Sequence, residues 1–299
     1  MTPIVANNQP GEGTAAPGDP AAFELPYFDA ILARLELSPE SPLSRALQRH
    51  VHWGFFSSPD TADDSLASYV VAAEAMTERV CAAGRVRSGL RILDVGCGFG
   101  GTVAHLNEHL SGCKLVGLNI DERQLARARQ SVHAGSGNAV TFVQGDACAL
   151  PFGDGEFDVV MAVECIFHFP SRRRFFKEAR RVLRTGGTLV VSDFVVDSEK
   201  VDEMTDWTEA HADAQSKFYG VKSAALVSGT YARLARGNHF SELADEDITA
   251  ATMPTYPGLK NLLSDAGLTD GVKATAYLEE LSRMGFFQYR ILSFEAAGA

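Results

Sequence analysis

The chain has 299 residues, of which 45% are apolar, and its formal net charge at pH 7 is -11. A chain of this length and apolar content buries a full hydrophobic core, so an enzyme-sized globular protein is predicted. The acidic balance argues against nucleic-acid binding, which depends on clustered Lys and Arg side chains, and five cysteines without CxxC pairing argue for reduced thiols and against a zinc site.

The sequence also carries no signal for export or for membrane insertion. It does not start with a basic segment followed by an apolar stretch, and no run of 18 apolar residues occurs. We therefore expect a cytoplasmic protein without membrane insertion. The sequence does not decide the oligomeric state, so a homo-oligomer stays open.

Two segments are predicted before the first strand. Residues 1–22 are rich in Pro, Gly, Ala and Asn and have little to bury. A disordered tail is expected there, because ordering it would cost conformational entropy without return. From residue 23 to residue 88, apolar residues recur at helical spacing, for example at Ile31, Leu32 and Leu35, with a break near "SSPDTADD". This pattern indicates an N-terminal helical lid.

Residues 89–197 alternate short β-branched runs with amphipathic helices. The runs are "RILDV", "KLVGLNI", "VTFVQ", "FDVVMAV" and "TLVVSDFVV". Helices are predicted between them near residues 102–110, 122–133 and 171–184. Continuous apolar strands that alternate with helices are typical of a parallel sheet covered on both faces.

The remaining residues are predicted to form an insertion and the end of the core. Residues 198–255 show no strand pattern and are interpreted as an inserted helical cap. Residues 256–299 are predicted to complete the core with the helix "PGLKNLLSDAGL" and with two strands, "KATAYL" and "FFQYRILSF".

The most specific chemical signal is "ILDVGCGFGGT", in which Gly96, Gly98 and Gly101 form G-x-G-x-x-G between a strand and a helix. Glycines at such a turn let the backbone bend tightly and approach a ligand. A nicotinamide site would seat a pyrophosphate at the helix N-terminus. Here Asp94 stands at the mouth of the first strand, where its charge would repel a pyrophosphate but hold a cationic amino group. The stretch therefore points to an amino-acid-bearing cofactor.

At these residues the sequence resembles the class I S-adenosylmethionine-dependent methyltransferases, whose first motif has the form of "LDVGCGFGG". The resemblance covers roughly residues 90–195 and continues through "VQGDACALPF", "FDVVMAVECIFHF" and "EARRVLRTGGTLVVSDF" in the family's order. It implies an α/β fold, with a Rossmann-like, seven-stranded, mostly parallel sheet and helices on both faces. It also implies S-adenosylmethionine as the cofactor, with Asp94, Gly96 and Gly98 as contacts. In the family, the residue at Asp146 accepts a hydrogen bond from the adenine amino group, and the backbone amide at Ala147 meets the ring.

The end of the second strand departs from the commonest family pattern. Most relatives place an acidic residue there to bind the ribose hydroxyls, whereas this chain has Asn119. The "GLN" followed by Gln124 is similar to the sterol and cyclopropane-fatty-acid branches, in which a polar side chain and a glutamine share the ribose. The resemblance therefore implies Asn119 and Gln124 as ribose contacts. Asp121 is the competing candidate, although it is equally well interpreted as the N-cap of the next helix.

A second resemblance lies before the core, at "VHWGFF". This stretch looks like a box in tocopherol, sterol and prenyl-diphosphate methyltransferases that folds over the methionine end of the cofactor. The resemblance implies that His52, Gly54 and Phe55 close the site, with His52 as a cofactor contact and Phe55 beside the substrate. An aromatic cluster that packs into the core is the alternative.

The stretch "ECIFHF" places Glu164 and His168 after the fourth strand. In a doubly wound sheet ligands bind at the carboxyl ends of the strands, so both are predicted as catalytic residues, and Glu164 also as a cofactor contact. His168 is a candidate base for an oxygen or nitrogen acceptor. Glu164 is a candidate for stabilising and deprotonating a carbocation formed on an alkene. Loop capping and packing are the alternative interpretation.

Aromatic residues of the lid and cap are the substrate candidates, because a ring face attracts positive charge and suits an apolar or cation-forming acceptor. A cap also needs aromatic residues for packing, so that alternative stays open. No metal ligand set is predicted, and Mg²⁺ would be needed only by a diphosphate acceptor. The substrate candidates are Phe55, Trp207, His211, Tyr219 and Tyr256.

Together these features predict an S-adenosylmethionine-dependent methyltransferase of small-molecule, secondary metabolism. The expected acceptor is a small, apolar or isoprenoid-like molecule, with C-methylation preferred. O- or N-methylation of a natural-product scaffold is the alternative. A nicotinamide-dependent oxidoreductase or a non-catalytic cofactor-binding protein is the alternative from a different class.

Overall fold

The computed structural model describes residues 25–211, 218–219 and 226–298. The tail predicted at residues 1–22 lies outside the described residues, as do residues 212–217 and 220–225 of the predicted cap. Among the helices that are described, none combines the length and the apolar character needed to cross a membrane.

Three helices precede the sheet, as the apolar spacing predicts: α1 (Pro26–Leu37), α2 (Pro42–Leu47) and α3 (Leu66–Ala83). The second and third begin at serine caps, because Ser41 and Ser65 each accept a hydrogen bond from the backbone N–H three residues later. The break at "SSPDTADD" holds a short 3₁₀ turn, Pro59–Thr61.

A mostly parallel sheet forms the centre of the molecule and confirms the predicted Rossmann-like α/β class. In the described part of the chain it has eight strands instead of the predicted seven, in the order β3-β2-β1-β4-β5-β8-β7, because the short β6 also pairs with β5. Strands β1 to β5 are mutually parallel, whereas β8 runs antiparallel to both of its neighbours, β5 and β7. The strands are β1 (Arg91–Val95), β2 (Lys114–Asn119), β3 (Ala139–Gln144), β4 (Phe157–Val163), β5 (Leu183–Val196), β6 (Leu226–Val227), β7 (Phe240–Asp247) and β8 (Phe287–Ala296).

Helices cover both faces of this sheet. Consecutive strand residues point to opposite faces, and accordingly Val159 belongs to one buried cluster and Val160 to the other. The remaining helices are α4 (Gly101–His109), α5 (Glu122–Ser131), α6 (Arg172–Val182), α7 (Val201–Ala210), α8 (Thr230–Arg236), α9 (Thr249–Thr252), α10 (Thr255–Asp265) and α11 (Thr269–Arg283). The first cluster joins the sheet to α1 through α5 and to α10 and α11, and the second joins it to α6 and α8.

The prediction of a strand at "KATAYL" is wrong, because these residues lie inside α11. Buried residues of this helix recur at Ala274, Leu278 and Leu281, which is the spacing of one helix face and is visible only over a longer window. The prediction that residues 198–255 contain no strand is also wrong, since β6 and β7 lie there. Half of the residues of strand β7, "FSELADED", are exposed and half are acidic, so the strand lacks the apolar alternation that identifies a half-buried strand.

Candidate cofactor site and active site

A cleft lies at the carboxyl ends of β1 to β4, under the lid segment 49–52. The space inside it, counting the open mouth, is about 940 Å³. Each residue predicted as a cofactor or catalytic contact lines this cleft. They are His52, Asp94, Gly96, Gly98, Asn119, Gln124, Asp146, Ala147, Glu164 and His168.

Asp94 fits the amino end of the implied cofactor. Its side chain is 2% exposed at the end of β1, and its Oδ2 atom has no hydrogen-bond partner among the described residues. Burial raises the pKa of this carboxyl group to about 8. A buried carboxyl group without a donor is unfavourable, and a cationic amino group would supply both the charge and the donors that it lacks.

The glycine loop after Asp94 needs glycine for two different reasons. Gly96 has φ +74, and a Cβ atom there would lie 2.8 Å from the Cβ and Sγ atoms of Cys165. Gly101 instead carries the lid, because a Cβ atom there would meet the carbonyl oxygen of Arg49 and would lie 2.6 Å from Nδ1 of His50. The first glycine therefore lets the loop pack closely against Cys165, and the last one lets the lid segment pack on the start of α4.

Asn119 and Gln124 form a joined pair at the end of β2. The Nδ2 atom of Asn119 donates to Oε1 of Gln124 at 3.0 Å, and both side chains are buried in the wall of the cleft. Asp121 is the N-cap of α5, because its carboxylate accepts from the backbone N–H of Arg123 at 2.8 Å. It also pairs with the Arg123 guanidinium and does not line the cleft.

Glu164 is held in an unusual conformation directly after β4. Its φ is +49, which is uncommon for a residue with a side chain. Its Oε2 atom accepts hydrogen bonds from the backbone N–H of Trp53 at 2.9 Å and from the hydroxyl of Tyr289 at 2.6 Å. Such strained positions cluster at functional sites, and here the strain aims an oriented carboxylate at the cleft.

His168 closes the same side of the cleft from the 3₁₀ turn Ile166–His168. Its Nε2 atom lies 3.0 Å from the hydroxyl of Tyr27, which comes from the lid helix α1. Burial raises the pKa of Tyr27 well above its ordinary value, so this hydroxyl keeps its proton at neutral pH. Tyr27 is not predicted from the sequence, where its signal is no more than an aromatic residue in the first turn of an amphipathic helix.

Comparison with known proteins shows which family the chain belongs to. Residues 93–191 match the family described as a methyltransferase domain. Methyltransferase GfsG of Streptomyces halstedii is 32% identical to this chain over 274 residues, which are 89% of this chain and 96% of that protein. The chain is an S-adenosylmethionine-dependent methyltransferase.

Other relatives of this methyltransferase match over shorter stretches. The 27-O-demethylrifamycin SV methyltransferase of Amycolatopsis mediterranei is 33% identical over 165 residues, 52% of this chain and 58% of that protein. Sterol 24-C-methyltransferase ERG6B of Gibberella zeae is 39% identical over 114 residues, 37% of this chain and 29% of that protein. Geranyl diphosphate C-methyltransferase from Streptomyces coelicolor, solved with Mg²⁺, geranyl diphosphate and S-adenosyl-L-homocysteine, shares the fold. Its TM-score is 0.66 at 18% identity, over 94% of this chain and 100% of that chain.

The stretch "VHWGFF" includes part of the lid segment over the cleft, but its side chains and backbone mainly contact other residues of the methyltransferase. Burial lowers the pKa of His52 to about 3, and its ring contacts the Trp53 carbonyl oxygen at 3.0 Å and Nδ1 of His50 at 3.1 Å. Phe55 does not line the cleft; its backbone N–H donates to Ala72, and the guanidinium of Arg79 lies over its ring. For Phe55 the structure favours the packing alternative over contact with substrate.

The cap aromatics divide into two groups. Tyr219 lies 5.6 Å from the ring of Tyr27, and Tyr256 lies 5.7 Å from the ring of Trp53. Both therefore pack against aromatic residues of the N-terminal segment, and neither lines the cleft.

Trp207 and His211 form the second group. They stack on one another at 4.2 Å, and Trp207 also packs against Tyr277 and Phe286. His211 is exposed, and neither residue lines the cleft, so the structure does not bring this pair to the active site. In the described ranges, no group of three or more His, Cys, Asp or Glu residues is arranged to hold a metal ion.

We expect Asn119→Ala to weaken S-adenosylmethionine binding roughly tenfold or more, because it removes one member of the buried pair that faces the cleft. Asp121→Ala should leave the affinity within about threefold and lower the free energy of unfolding by about 1 kcal/mol, the usual cost of a lost N-cap. Calorimetric titration and urea unfolding of both variants measure these effects. The opposite order of affinities would assign the ribose to Asp121.

Proposed function

We propose that this methyltransferase transfers a methyl group to a carbon atom of a small, largely apolar, isoprenoid-like acceptor. The observation that carries the proposal is the carboxylate of Glu164, which is strained, oriented by two donors and exposed to the cleft. When bound, S-adenosylmethionine supplies a methyl group on a positively charged sulfur atom.

The residues around the cleft have distinct tasks in this proposal. Asp94 binds the amino group of the cofactor, the Asn119 and Gln124 pair holds the ribose, and Asp146 accepts from the adenine amino group. The glycine loop lets the backbone approach the ligand. Together these contacts fix the methyl donor at the carboxyl end of β4. Holding the donor and the acceptor in the geometry for transfer supplies much of the rate acceleration.

Glu164 then meets the demands of methylation at carbon. When an alkene or an electron-rich ring is methylated, positive charge develops on the acceptor and a proton must leave. The carboxylate stabilises that charge and takes the proton. Trp53 and Tyr289 hold it in place through the hydrogen bonds to Oε2. The rings of Tyr27, Trp53 and Tyr219 lie close together. Their faces would further stabilise the positive charge that develops on the acceptor.

The relatives support this class of acceptor. ERG6B, by its name, methylates carbon 24 of a sterol, and its similarity to this chain is confined to 37% of the chain. We propose Mg²⁺ only for the case of a diphosphate acceptor, as in the complex of the Streptomyces coelicolor enzyme. The cysteines are all free thiols, which supports action in the reducing cytoplasm.

A second candidate is O-methylation of a natural-product scaffold, and the contact between Tyr27 and His168 favours it. An imidazole beside the methyl donor is a suitable base for a hydroxyl proton, and the Tyr27 hydroxyl fixes the orientation of that ring. The rifamycin relative is, by its name, an O-methyltransferase. The two candidates differ in which of the two residues takes the proton.

The test uses S-adenosylmethionine labelled with ¹³C in its methyl group and pairs of acceptors. Each pair matches an isoprenoid alkene with a macrocyclic or aromatic alcohol of similar size, and each reaction is run with and without Mg²⁺. We expect label on carbon in the alkene product. Label confined to oxygen would assign the enzyme to the second candidate, and transfer that needs Mg²⁺ for diphosphates alone would establish the role proposed for that ion.

A further inference from the structure

A network of ionisable side chains ties the lid to the core beside the cleft. The carboxylate of Glu74 on α3 lies 3.0 Å from Nε2 of His50 and 2.7 Å from Nε of Arg49, both in the lid segment. It also lies 2.9 Å from Nδ1 of His105 on α4. One carboxylate therefore holds the lid segment, α3 and α4 together, where Arg49 and His50 rest on Gly101.

The two lid imidazoles extend this network to the lid backbone. Nδ1 of His50 lies 3.1 Å from Nε2 of His52, and Nδ1 of His52 lies 3.0 Å from the carbonyl oxygen of Trp53. The same Trp53 donates its backbone N–H to Glu164. The chain of contacts thus runs from Glu74 to the residue that orients the proposed catalytic carboxylate.

The three hydrogen bonds along this chain of contacts need three N–H donors. The carboxylate of Glu74 and the carbonyl of Trp53 are both acceptors, so each end of the chain requires an N–H donor. The central contact between the two rings requires a third N–H. Two neutral imidazoles carry only two such protons, so the complete chain exists when one ring of the pair is protonated.

We propose that Glu74 is a positioning residue that closes the lid over the cofactor through a proton shared by His50 and His52. This inference rests on the proposed cofactor contacts. When the extra proton leaves, two nitrogen lone pairs face one another at the central contact and the lid segment loses a hydrogen bond. The closed lid is therefore favoured at low pH and loosens as the proton is lost at higher pH.

The surrounding charges set where this change occurs. Burial lowers the pKa of both imidazoles, that of His52 to about 3. The Glu74 carboxylate opposes the shift at His50 through a direct hydrogen bond, so His50 is the ring that carries the extra proton and donates it to His52. Burial acts to raise the pKa of Glu74, but hydrogen bonds from His105 and His50 outweigh it and lower that pKa, so Glu74 stays ionised. Arg49, paired with Glu108, faces the network from the lid and disfavours the extra proton. On α3, Thr77 adds only a neutral hydroxyl, 3.4 Å from His52.

The test compares Glu74→Gln with the wild type in calorimetric titrations with S-adenosylhomocysteine from pH 5.5 to pH 8. We expect the ratio of the variant's Kd to the wild-type Kd to be roughly tenfold at pH 5.5, the scale of a lost charge-assisted hydrogen bond. The ratio should fall to within about twofold at pH 8, because the wild-type chain has then lost its proton as well. Hydrogen exchange at amides 49–54 of the bound protein should rise in parallel.

Glu108→Gln is the matched control, since it removes the other carboxylate partner of Arg49 and leaves both imidazole contacts intact. Its Kd ratio should stay near one at every pH. A ratio for Glu74→Gln that is near one throughout, or is raised but constant with pH, would overturn the proposal. Equal effects of the two variants would overturn it as well.

His50→Asn provides a second test that does not depend on the folding of Glu74→Gln. An amide cannot carry the extra proton, so this variant should show the same loss of affinity at low pH. Wild-type affinity of His50→Asn at pH 5.5 would contradict the proposal. If the wild type bound no S-adenosylhomocysteine at any pH, the proposed cofactor site itself would be wrong, and the positioning role of Glu74 would be wrong with it.

Discussion

Asp94→Asn is expected to weaken S-adenosylmethionine binding by roughly 100-fold or more, the scale of removing one partner from a buried charge pair. The substitution keeps the shape of the side chain and removes the carboxylate charge at the end of β1. The wild-type affinity should rise with pH up to about pH 8, because burial raises the pKa of Asp94 to about 8 and the charged form is the one that binds. The variant should lose that dependence.

The same substitution should stabilise the cofactor-free protein. The pKa of Asp94 is raised above its ordinary value of 3.8. Its favourable contribution to folding is therefore fully present below about pH 4 and is lost as the pH rises through about 8. Asparagine carries no such penalty, so at pH 8 and above the variant should melt at a higher temperature than the wild type.

Asp121→Asn is the matched control, since that residue lies outside the cleft and caps α5. It should leave the affinity almost unchanged and should not raise the melting temperature. If Asp94→Asn bound the cofactor as tightly as the wild type, the fit of Asp94 to an amino group would be wrong. A loss of affinity together with a lower melting temperature at pH 8 would indicate damage to the fold instead.

Glu164→Gln and His168→Ala should each lower turnover by roughly two orders of magnitude or more, the usual scale of a lost acid or base group. The affinity for S-adenosylmethionine should stay within about threefold of the wild type in Glu164→Gln, because the amide oxygen still accepts from Trp53 and Tyr289. Single-turnover kinetics with a saturating labelled cofactor separate these two quantities.

The relative size of the two losses reports the chemistry. A dominant loss at Glu164 with little pH dependence favours quenching of a carbocation at carbon. A dominant loss at His168, with wild-type turnover that rises with pH as an imidazole loses its proton, favours a hydroxyl or amine acceptor. In that second case Tyr27→Phe should lower turnover too, since it removes the hydroxyl that orients His168. Near-wild-type turnover in both variants would show that "ECIFHF" has a structural role and that neither residue is catalytic.

The sequence could predict which residues of β1, β2 and the loops after them line the cleft, because their positions depend on local features. Asp94, Gly96 and Gly98 lie within five consecutive residues, at the end of β1 and in the loop that follows it. Gln124 comes shortly after Asn119 in the chain, in the first turn of α5. Residues at the ends of parallel strands necessarily meet at one edge of the sheet. Spacing along the chain therefore carries most of the geometry.

The lid half could not be predicted in the same way. Tyr27 reaches His168 across 141 residues, and Trp53 reaches Glu164 across 111. Neither contact leaves a periodic pattern, because each depends on where a whole helix or loop lies on the sheet. Glu74 shows the same limit: one acidic residue on an amphipathic helix predicts a solvated surface, and its three partners come together only in the fold.

The most direct test of the account is a calorimetric titration of the wild-type protein with S-adenosylmethionine and, in parallel, with NADH. We expect saturable one-site binding of S-adenosylmethionine and no heat with NADH, because a buried carboxylate at the end of β1 binds an amino group and repels a pyrophosphate. Tight binding of NADH without a response to S-adenosylmethionine would contradict the assignment of the cleft and of every role derived from it.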